Sequence, residues 1–517
     1  MKLSRSKNAF RNITFGMISK IVTILGPFAI RTIFIRVLGA EYLGLNSLFS
    51  SILTVLNLTE LGFSSAIVFS LYKPIAEDDS ETIEAILLYY RKVYACIGAI
   101  ILAIGLLLIP FLPNLISGSY PEDINLVLVY VVYLLNTVIS YFLFAYLQAL
   151  ISAFQREDLI SRVNIVISIV MYIAQAIVLL TVKNYYAYLF IMPAFTVINN
   201  LRTAFIAKRY FPQYKPKGKL APEIKKDIKV KVSGLMITKV CNVSRNAFDS
   251  IFISMFLGLT DTAIYNNYYY IMNAITALLT IVVTSITAGV GNSVSIDPVE
   301  KNYSDMNKMN FIYMWISGWC TVCLFCLYQP FMKMWAGEDL MFPMLAVILI
   351  CAYFYALKIG DIRSVYVQAT GIWWENRYRA IAEATANIVL NYFLGKYFGV
   401  YGIISATLIS LLVINFGYGS QLIYKYYFKE QKISEYYLSN LFYAIVTLIA
   451  CVITYFICNL IGDGIGFFIL KMLICVAVPN ILFWLIYRHT SIYKIAVPWF
   501  LGKLPQRFTS KLHIKNF

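Results

Sequence analysis

KRYFPQYKPKGKLAPEIKKDIKVK, residues 208 to 231, carries nine Lys or Arg against two acids, together with three Pro. No other stretch between the termini is so long, so polar and so basic. By charge alone it reads as a surface loop. Its weight comes from its flanks, which are two long apolar halves that look alike. A basic linker joining two hydrophobic repeats is the plan of a membrane transporter.

Working outward, the 517 residues are 60% hydrophobic and 13% charged. Globular chains average roughly 25% charged residues, so a soluble fold of this length would lack a polar surface. Apolar runs of about 20 residues, long enough to cross the hydrocarbon core, recur along the whole chain. The fold class is therefore an all-α polytopic membrane protein. A barrel would show short alternating segments instead. The expected spans are 14–38, 45–71, 86–112, 124–148, 162–182, 186–207, 232–258, 264–290, 309–334, 342–369, 379–397, 400–424, 439–461 and 464–487. The basic start, MKLSRSKNAFRNITF, is followed by no small-residue cleavage site, so the first helix is expected to be retained.

The net charge of +17 raises nucleic acid as a partner, but its placement argues for the membrane. With the N-terminus inside, most of the Lys and Arg fall in the inside connections 72–85, 149–161, 208–231, 291–308, 370–378 and 425–438 and in the two tails. The outside ends hold Lys183, Lys333 and Lys396. This asymmetry follows the positive-inside rule and places both termini in the cytoplasm. All outside loops are short, and no extramembrane domain is expected on either face. The nine cysteines lie in apolar segments. Cys320, Cys323 and Cys326 form a CxxCxxC pattern on an apolar helix with no His nearby, which reads as packing with no metal. With only His489 and His513 in the chain, a histidine-based active site has almost no material.

Four landmarks repeat at offsets of 218 to 221. Ser19-Lys20-Ile21 matches Thr238-Lys239-Val240, and Ile33-Phe34-Ile35 matches Ile251-Phe252-Ile253. The turn LGAEYLGLN from Leu38 matches LGLTDTAIYN from Leu257. Gln148-Ala149 matches Gln368-Ala369, followed by polar turns holding Arg156 and Arg377. Spans 1–6 and 7–12 then read as two copies of one six-helix unit, a parallel repeat with its transport pathway at the repeat interface. The expected organisation is an N-lobe at 1–207, the linker at 208–231, a C-lobe at 232–424, two added helices at 425–487 and a basic tail at 488–517.

A charge in mid-membrane costs roughly 2.5–3.5 kcal/mol on insertion scales and marks a water-filled site or a partner. The first span carries Lys20, Arg31 and Arg36, with Lys20 and Arg31 on one face and Gly26-Pro27 between them, where a kink or break is expected. The seventh carries Lys239, Arg245 and Asp249, and the tenth carries Lys358, Asp361 and Arg363. The functional reading is a cationic cavity built from Lys20, Arg31, Lys239, Arg245, Lys358 and Arg363. It would hold an anion such as a pyrophosphate, with Arg as the bidentate partner. The alternatives are that Arg36 snorkels to the interface and that Arg245 and Asp249 form a structural pair. Glu60, Asp249, Asp361 and Glu383 are candidates for a proton or sodium site, and helix packing explains each as well. The abundant aromatics fit interfacial belts. The stretch SIYKIAVPWFLGKLPQRFTSKL from Ser491 is either an amphipathic segment on the inner leaflet or a flexible tail.

The run IRTIFIRVLGAEYLGLNSLFSSIL from Ile30, the segment TELGFSSA from Thr59 and the fourteen-span plan together resemble the Wzx-type polysaccharide flippases of the multidrug/oligosaccharidyl-lipid/polysaccharide (MOP) transporter superfamily. The resemblance implies two six-helix lobes around a central cavity and no enzymatic activity or cofactor. It implies movement of an undecaprenyl-pyrophosphate-linked oligosaccharide from the inner to the outer leaflet of a bacterial plasma membrane. It further implies alternating access driven by an H⁺ or Na⁺ gradient or by membrane potential, beside glycosyltransferases and a polymerase. The family's cationic cavity would fall on Arg31, Lys239 and Arg245. Spans 13 and 14 are shared with lipid II flippases, where they form a lipid groove. The competing readings are an ion-coupled drug or metabolite exporter of the same superfamily, a membrane polysaccharide polymerase, and a scaffold of the export machinery.

Overall fold

The computed structural model describes residues 5–57 and 63–503, and among these every regular element is helical. The chain folds into two compact units, one ending at Ile264 and the other starting at Tyr265.

The first unit opens with α1, Arg5–Val37. The expected break at Pro27 does not end this helix. Its neighbour Gly26 lies against the Tyr172 ring, where an added Cβ would come within 2.1 Å. Close packing on the α7 helix thus continues along α1 past the missing backbone donor. Gly39, at φ 98°, turns the chain into α2, Ala40–Leu56. After α3, Phe63–Ala76, comes α4, Ser80–Leu108, capped by Asp79, whose carboxylate accepts from the Thr82 N–H at 3.0 Å. A 3₁₀ stretch, Ile109–Leu115, closes it. The pair α5, Leu126–Phe142, and α6, Ala145–Ala153, bends by 52° where Phe144 adopts a left-handed conformation. Next come α7, Glu157–Thr181, α8, Tyr185–Tyr210, and α9, Pro222–Leu257.

The second unit takes most of α10, Leu259–Ile296, with α11, Val299–Trp335, α12, Met344–Lys358, and α13, Asp361–Ala369. Helix α14, Trp373–Ile409, contains a non-helical residue, Gly399, at φ 58°. It runs into a π-helical stretch, Ser410–Tyr418, and then α15, Gly419–Tyr426. Helices α16, Ile433–Asn459, α17, Ile465–Tyr487, and α18, Ser491–Lys503, complete it.

Among the described residues ten helices are long and apolar enough to cross a membrane, or eleven if the bent pair is one span. Not all of the fourteen expected spans are distinguished by length and composition. The 53-residue run Trp374–Tyr426 counts once, although Gly399 breaks it where the sequence separates two spans. Among the described residues α2 and α3 are shorter apolar helices, and so is Ala247–Leu257 of α9. Outward side chains such as Leu107, Val166 and Phe205 in the first unit, and Leu448, Phe456 and Leu473 in the second, are exposed and apolar, as lipid-facing positions are. The protein is a multi-pass helical membrane protein.

The boundary of the first unit falls beyond the linker. Helix α9 packs on α2 and α3. Gly44 of α2 likewise lets the start of α10 approach, since a Cβ there would meet the Leu259 carbonyl at 2.1 Å. The linker is ordered on the same unit: buried Glu84 accepts from the Lys215 N–H at 2.9 Å and pairs with Lys217 at 3.3 Å. From Pro222 onward the linker residues are already helical.

The two halves share local geometry. Gly39 and Gly258 start α2 and α10 at φ 98° and 99°, and Gly118 and Gly337 are a second positive-φ pair at the same spacing. Helices α6 and α13 each have nine residues. Gln148 is the fourth residue of α6 and Gln368 the eighth of α13, so this one landmark does not occupy equivalent positions.

Candidate functional site

In the first unit, α1 presents its cations at graded depth. Lys20 and Arg36 are exposed and Arg31 is half-buried. Arg31 lies within electrostatic reach of the Tyr188 hydroxyl on α8, and the Tyr188 ring packs edge-on against Phe34 at 5.0 Å. On α9, Arg245 and Asp249 are both buried, one helical turn apart, and each is engaged by the surrounding fold. Glu60 and the side chain of Lys239 lie outside the described residues.

The same unit holds an ionic knot that no spacing in the sequence announces. Asp158, fully buried at the start of α7, accepts from Arg11 at 2.7 Å and from Arg156 at 2.8 Å, with Arg162 at 3.7 Å. Its backbone N–H donates to the Asn12 side chain at 2.8 Å, and Asn12 donates in turn to the Gln155 carbonyl. The knot ties the start of α1 to the turn before α7 across 147 residues. The polar turn around Arg156 is visible in sequence, but its partner Arg11 is hidden among the N-terminal basic residues.

In the second unit the structure brings together all four candidates expected there. The buried Lys358 ammonium lies 3.0 Å from Asp361 Oδ2, which also accepts from the Tyr313 hydroxyl. Arg363, also buried, donates through Nη1 to the carbonyls of Asn415 and Phe416 and to Ser420 Oγ, and through Nη2 to Asn415 Oδ1 at 3.0 Å. The π-helical stretch alters the local carbonyl pattern, and Arg363 supplies donors to it. Gly419 is required beside it, since a Cβ there would sit 2.5 Å from Nη1. Glu383 accepts from Arg379 and, at 2.9 Å, from Asn415 Nδ2. Asn376 accepts from Arg379 Nε at 2.7 Å. Arg379 and Asn415 complete this network and were not singled out by sequence.

Each charge in this group is matched by an opposite charge or by hydrogen-bonding oxygens, as buried ions require. Such a set fixes α12, α13, α14 and the π-helical stretch relative to one another. Its cations are committed to protein acceptors.

Of the CxxCxxC pattern, only Cys326 joins a thiol cluster. Its sulfur lies within 4.8 Å of those of Cys458 and Cys475, on α11, α16 and α17. Cys323 instead contacts the Cys475 carbonyl at 3.6 Å.

This fold is that of transporters of the MOP superfamily. The chain aligns with lipid II flippase MurJ in its inward closed conformation over 92% of its length and 99% of the flippase, with a TM-score of 0.68 and 15% identity. An inward-facing multidrug resistance MATE family transporter aligns over 80% of the chain and 98% of its own, with a TM-score of 0.61 and 14% identity. A MOP superfamily transporter from Pyrococcus furiosus, reported to have a binding pocket of reversed polarity, aligns over 81% and 96%, with a TM-score of 0.55 and 16% identity. None of the curated proteins matches the chain. Residues 9–288 match the family described as Polysaccharide biosynthesis protein, and the chain belongs to that family.

Proposed function

We propose that this protein is a flippase. It translocates an undecaprenyl-pyrophosphate-linked oligosaccharide repeat unit from the inner to the outer leaflet of the bacterial plasma membrane, by alternating access, for a cell-surface polysaccharide. One observation carries the reading: a chain of the polysaccharide biosynthesis family over residues 9–288 has the fold of a lipid II flippase over 92% of its length. The family supplies the saccharide, and the fold supplies a precedent for moving lipid-linked sugars.

Within the first unit, Arg31 on α1 and Lys239 and Arg245 on α9 are the proposed partners of the pyrophosphate. Arg suits the planar, bidentate recognition of phosphate, and Lys acts as a point charge. The abundance of inside Lys and Arg supports cytoplasmic termini. An ion gradient is the proposed energy source, with glycosyltransferases and a polymerase as neighbours in the process.

The test is the sidedness of lipid-linked oligosaccharide in cells depleted of the protein. Intact cells are probed with an impermeant lectin or glycosidase, and the lipid pool is extracted. Complete, unpolymerised repeat units protected on the inner leaflet are the expected result. Accumulation on the outer leaflet would overturn the proposal in favour of a polymerase. No accumulation, with altered drug tolerance, would overturn it in favour of an exporter.

A further inference from the structure

Inside the first unit lies a cavity of about 480 Å³. That volume falls in the roughly 300–1,000 Å³ range of small-molecule sites. Its lining is unusual for the interior of a membrane-spanning bundle. It presents six carboxamides: Asn57, Asn136, Gln148, Asn164, Asn199 and Asn200. The rest of its polar lining is Ser, Thr and Tyr hydroxyl, and no charged side chain is among the described residues around it.

Part of this lining is already satisfied. Thr196 donates to Asn136 Oδ1 at 2.7 Å, and Tyr141 donates to Asn57 Oδ1 at 3.0 Å. Part is not. Asn200 is more than nine-tenths buried, and its Nδ2 donor has no hydrogen-bond partner. On the adjacent residue, the buried Asn199 Oδ1 acceptor likewise has none. Leaving a buried polar atom unmet is costly, so a site that keeps a free donor beside a free acceptor is shaped for something that supplies both.

The chemistry of the lining selects the ligand. A phosphate would call for cations, and the described lining has none. A metal or alkali cation would call for converging oxygens and would leave the amide donors unmatched. A neutral polyhydroxylated ligand fits, because each hydroxyl both donates and accepts. One wall is aromatic: Tyr90 and Tyr94 meet edge to face at 4.2 Å, and Tyr141 tilts onto Tyr94 at 5.5 Å. Such rings offer an apolar body with a polar tip, which suits the C–H face of a pyranose.

We infer that this cavity is a saccharide-binding subsite, in which Asn136, Asn199 and Asn200 hydrogen-bond sugar hydroxyls of the translocated molecule. The assignment to the translocated molecule rests on the flippase reading, and the affinity for neutral saccharide does not.

The experiment uses the full chain purified into lipid nanodiscs and three probes. These are lipid-linked oligosaccharide extracted from depleted cells, the same oligosaccharide released from its lipid, and sugar-free undecaprenyl pyrophosphate. Asn200→Ala and the isosteric Thr196→Val are compared with the unaltered protein, with thermal unfolding to verify folding. The expected result is at least tenfold weaker binding of both saccharide-bearing probes by each variant, with binding of the sugar-free lipid unchanged within twofold. Equal weakening for all probes, or none in either variant, would overturn the inference. Should Asn200→Ala fail to fold, Thr196→Val alone decides. If the unaltered protein binds released oligosaccharide in an Asn200-dependent manner yet binds neither lipid, the flippase reading fails and the saccharide site stands.

Discussion

The amide-lined cavity of the first unit and the ion network of the second treat buried polarity in opposite ways. The second closes its charges on one another: Lys358 on Asp361, Arg379 on Glu383, and Arg363 on the carbonyls of the π-helical stretch. The first unit also ties Arg11 and Arg156 to Asp158, but it leaves Lys20 exposed and Arg31 half-buried and sets a neutral, amide-lined cavity among α3 to α8. Buried charge is thus not one signal. Where a cation already has several protein acceptors at hydrogen-bond distance, it holds helices together. Where polar atoms lie buried and unmet, or cations half-exposed, there is capacity for a ligand.

The largest expected effect tests the closed side. Glu383→Ala removes the carboxylate that accepts from Arg379 and Asn415 and leaves a buried guanidinium uncompensated. Breaking a buried pair in this way costs about 3–5 kcal/mol. A large drop in the thermal unfolding midpoint of the purified protein is expected, with activity lost in proportion to folded protein. An unchanged midpoint would remove the structural role given to the second unit's ions.

Next come Arg31→Ala and Lys239→Ala. A lost charge-assisted contact is worth about 1.5–3 kcal/mol, so export is expected to fall tenfold or more at normal protein level and normal unfolding midpoint. Normal export by both variants would erase the functional half of the contrast.

A smaller effect is expected from Asn125→Ala. The Asn125 side chain caps α5 by accepting from the Leu128 N–H at 3.0 Å. Its loss should cost about 1 kcal/mol, read as a modest midpoint shift with export retained.

The smallest effect concerns Asp463, an exposed loop carboxylate bridged to Lys333 at 3.3 Å. The hydrogen bond from Lys333 holds its pKa below the ordinary 3.8. A depressed carboxylate stabilises the fold above its unfolded pKa, and that contribution is lost as pH falls through the folded value. Asp463→Asn should therefore lower the unfolding midpoint slightly at pH 6 and have no effect once pH is well below 3.8. An equal effect at both pH values would show that charge is not what the bridge contributes.

Much of the fold is legible in sequence because the hydrophobic period and length of a spanning helix are local properties. So is the linker's charge, and so are the acids and bases of the tenth span, which sit three and five residues apart on one short stretch. What was hidden depends on contacts across the fold. Asp158 finds Arg11 from 147 residues away. Asn415, on the π-wound stretch, reaches Arg363 and Glu383 from 52 and 32 residues away. The neutral cavity is assembled from small clusters of Asn, Ser and Thr on several helices, each unremarked in its own segment, whereas charges draw the eye. Length and composition separate ten spans among the described residues, while short helices such as α2 and the Gly399 break within Trp374–Tyr426 are read as spans only from the pattern of the sequence.

The π-helical stretch Ser410–Tyr418 has a consequence for how this chain tolerates changes in length. Each residue of an α-helix advances it by about 100°, and a π-turn accommodates an additional residue without breaking the rod. Deleting one residue between 410 and 418 should let the stretch rewind as ordinary helix. That would keep α15 in phase but remove the wide turn whose carbonyls accept from Arg363. Substitutions at many of these nine positions are expected to be absorbed, while a single-codon deletion is not.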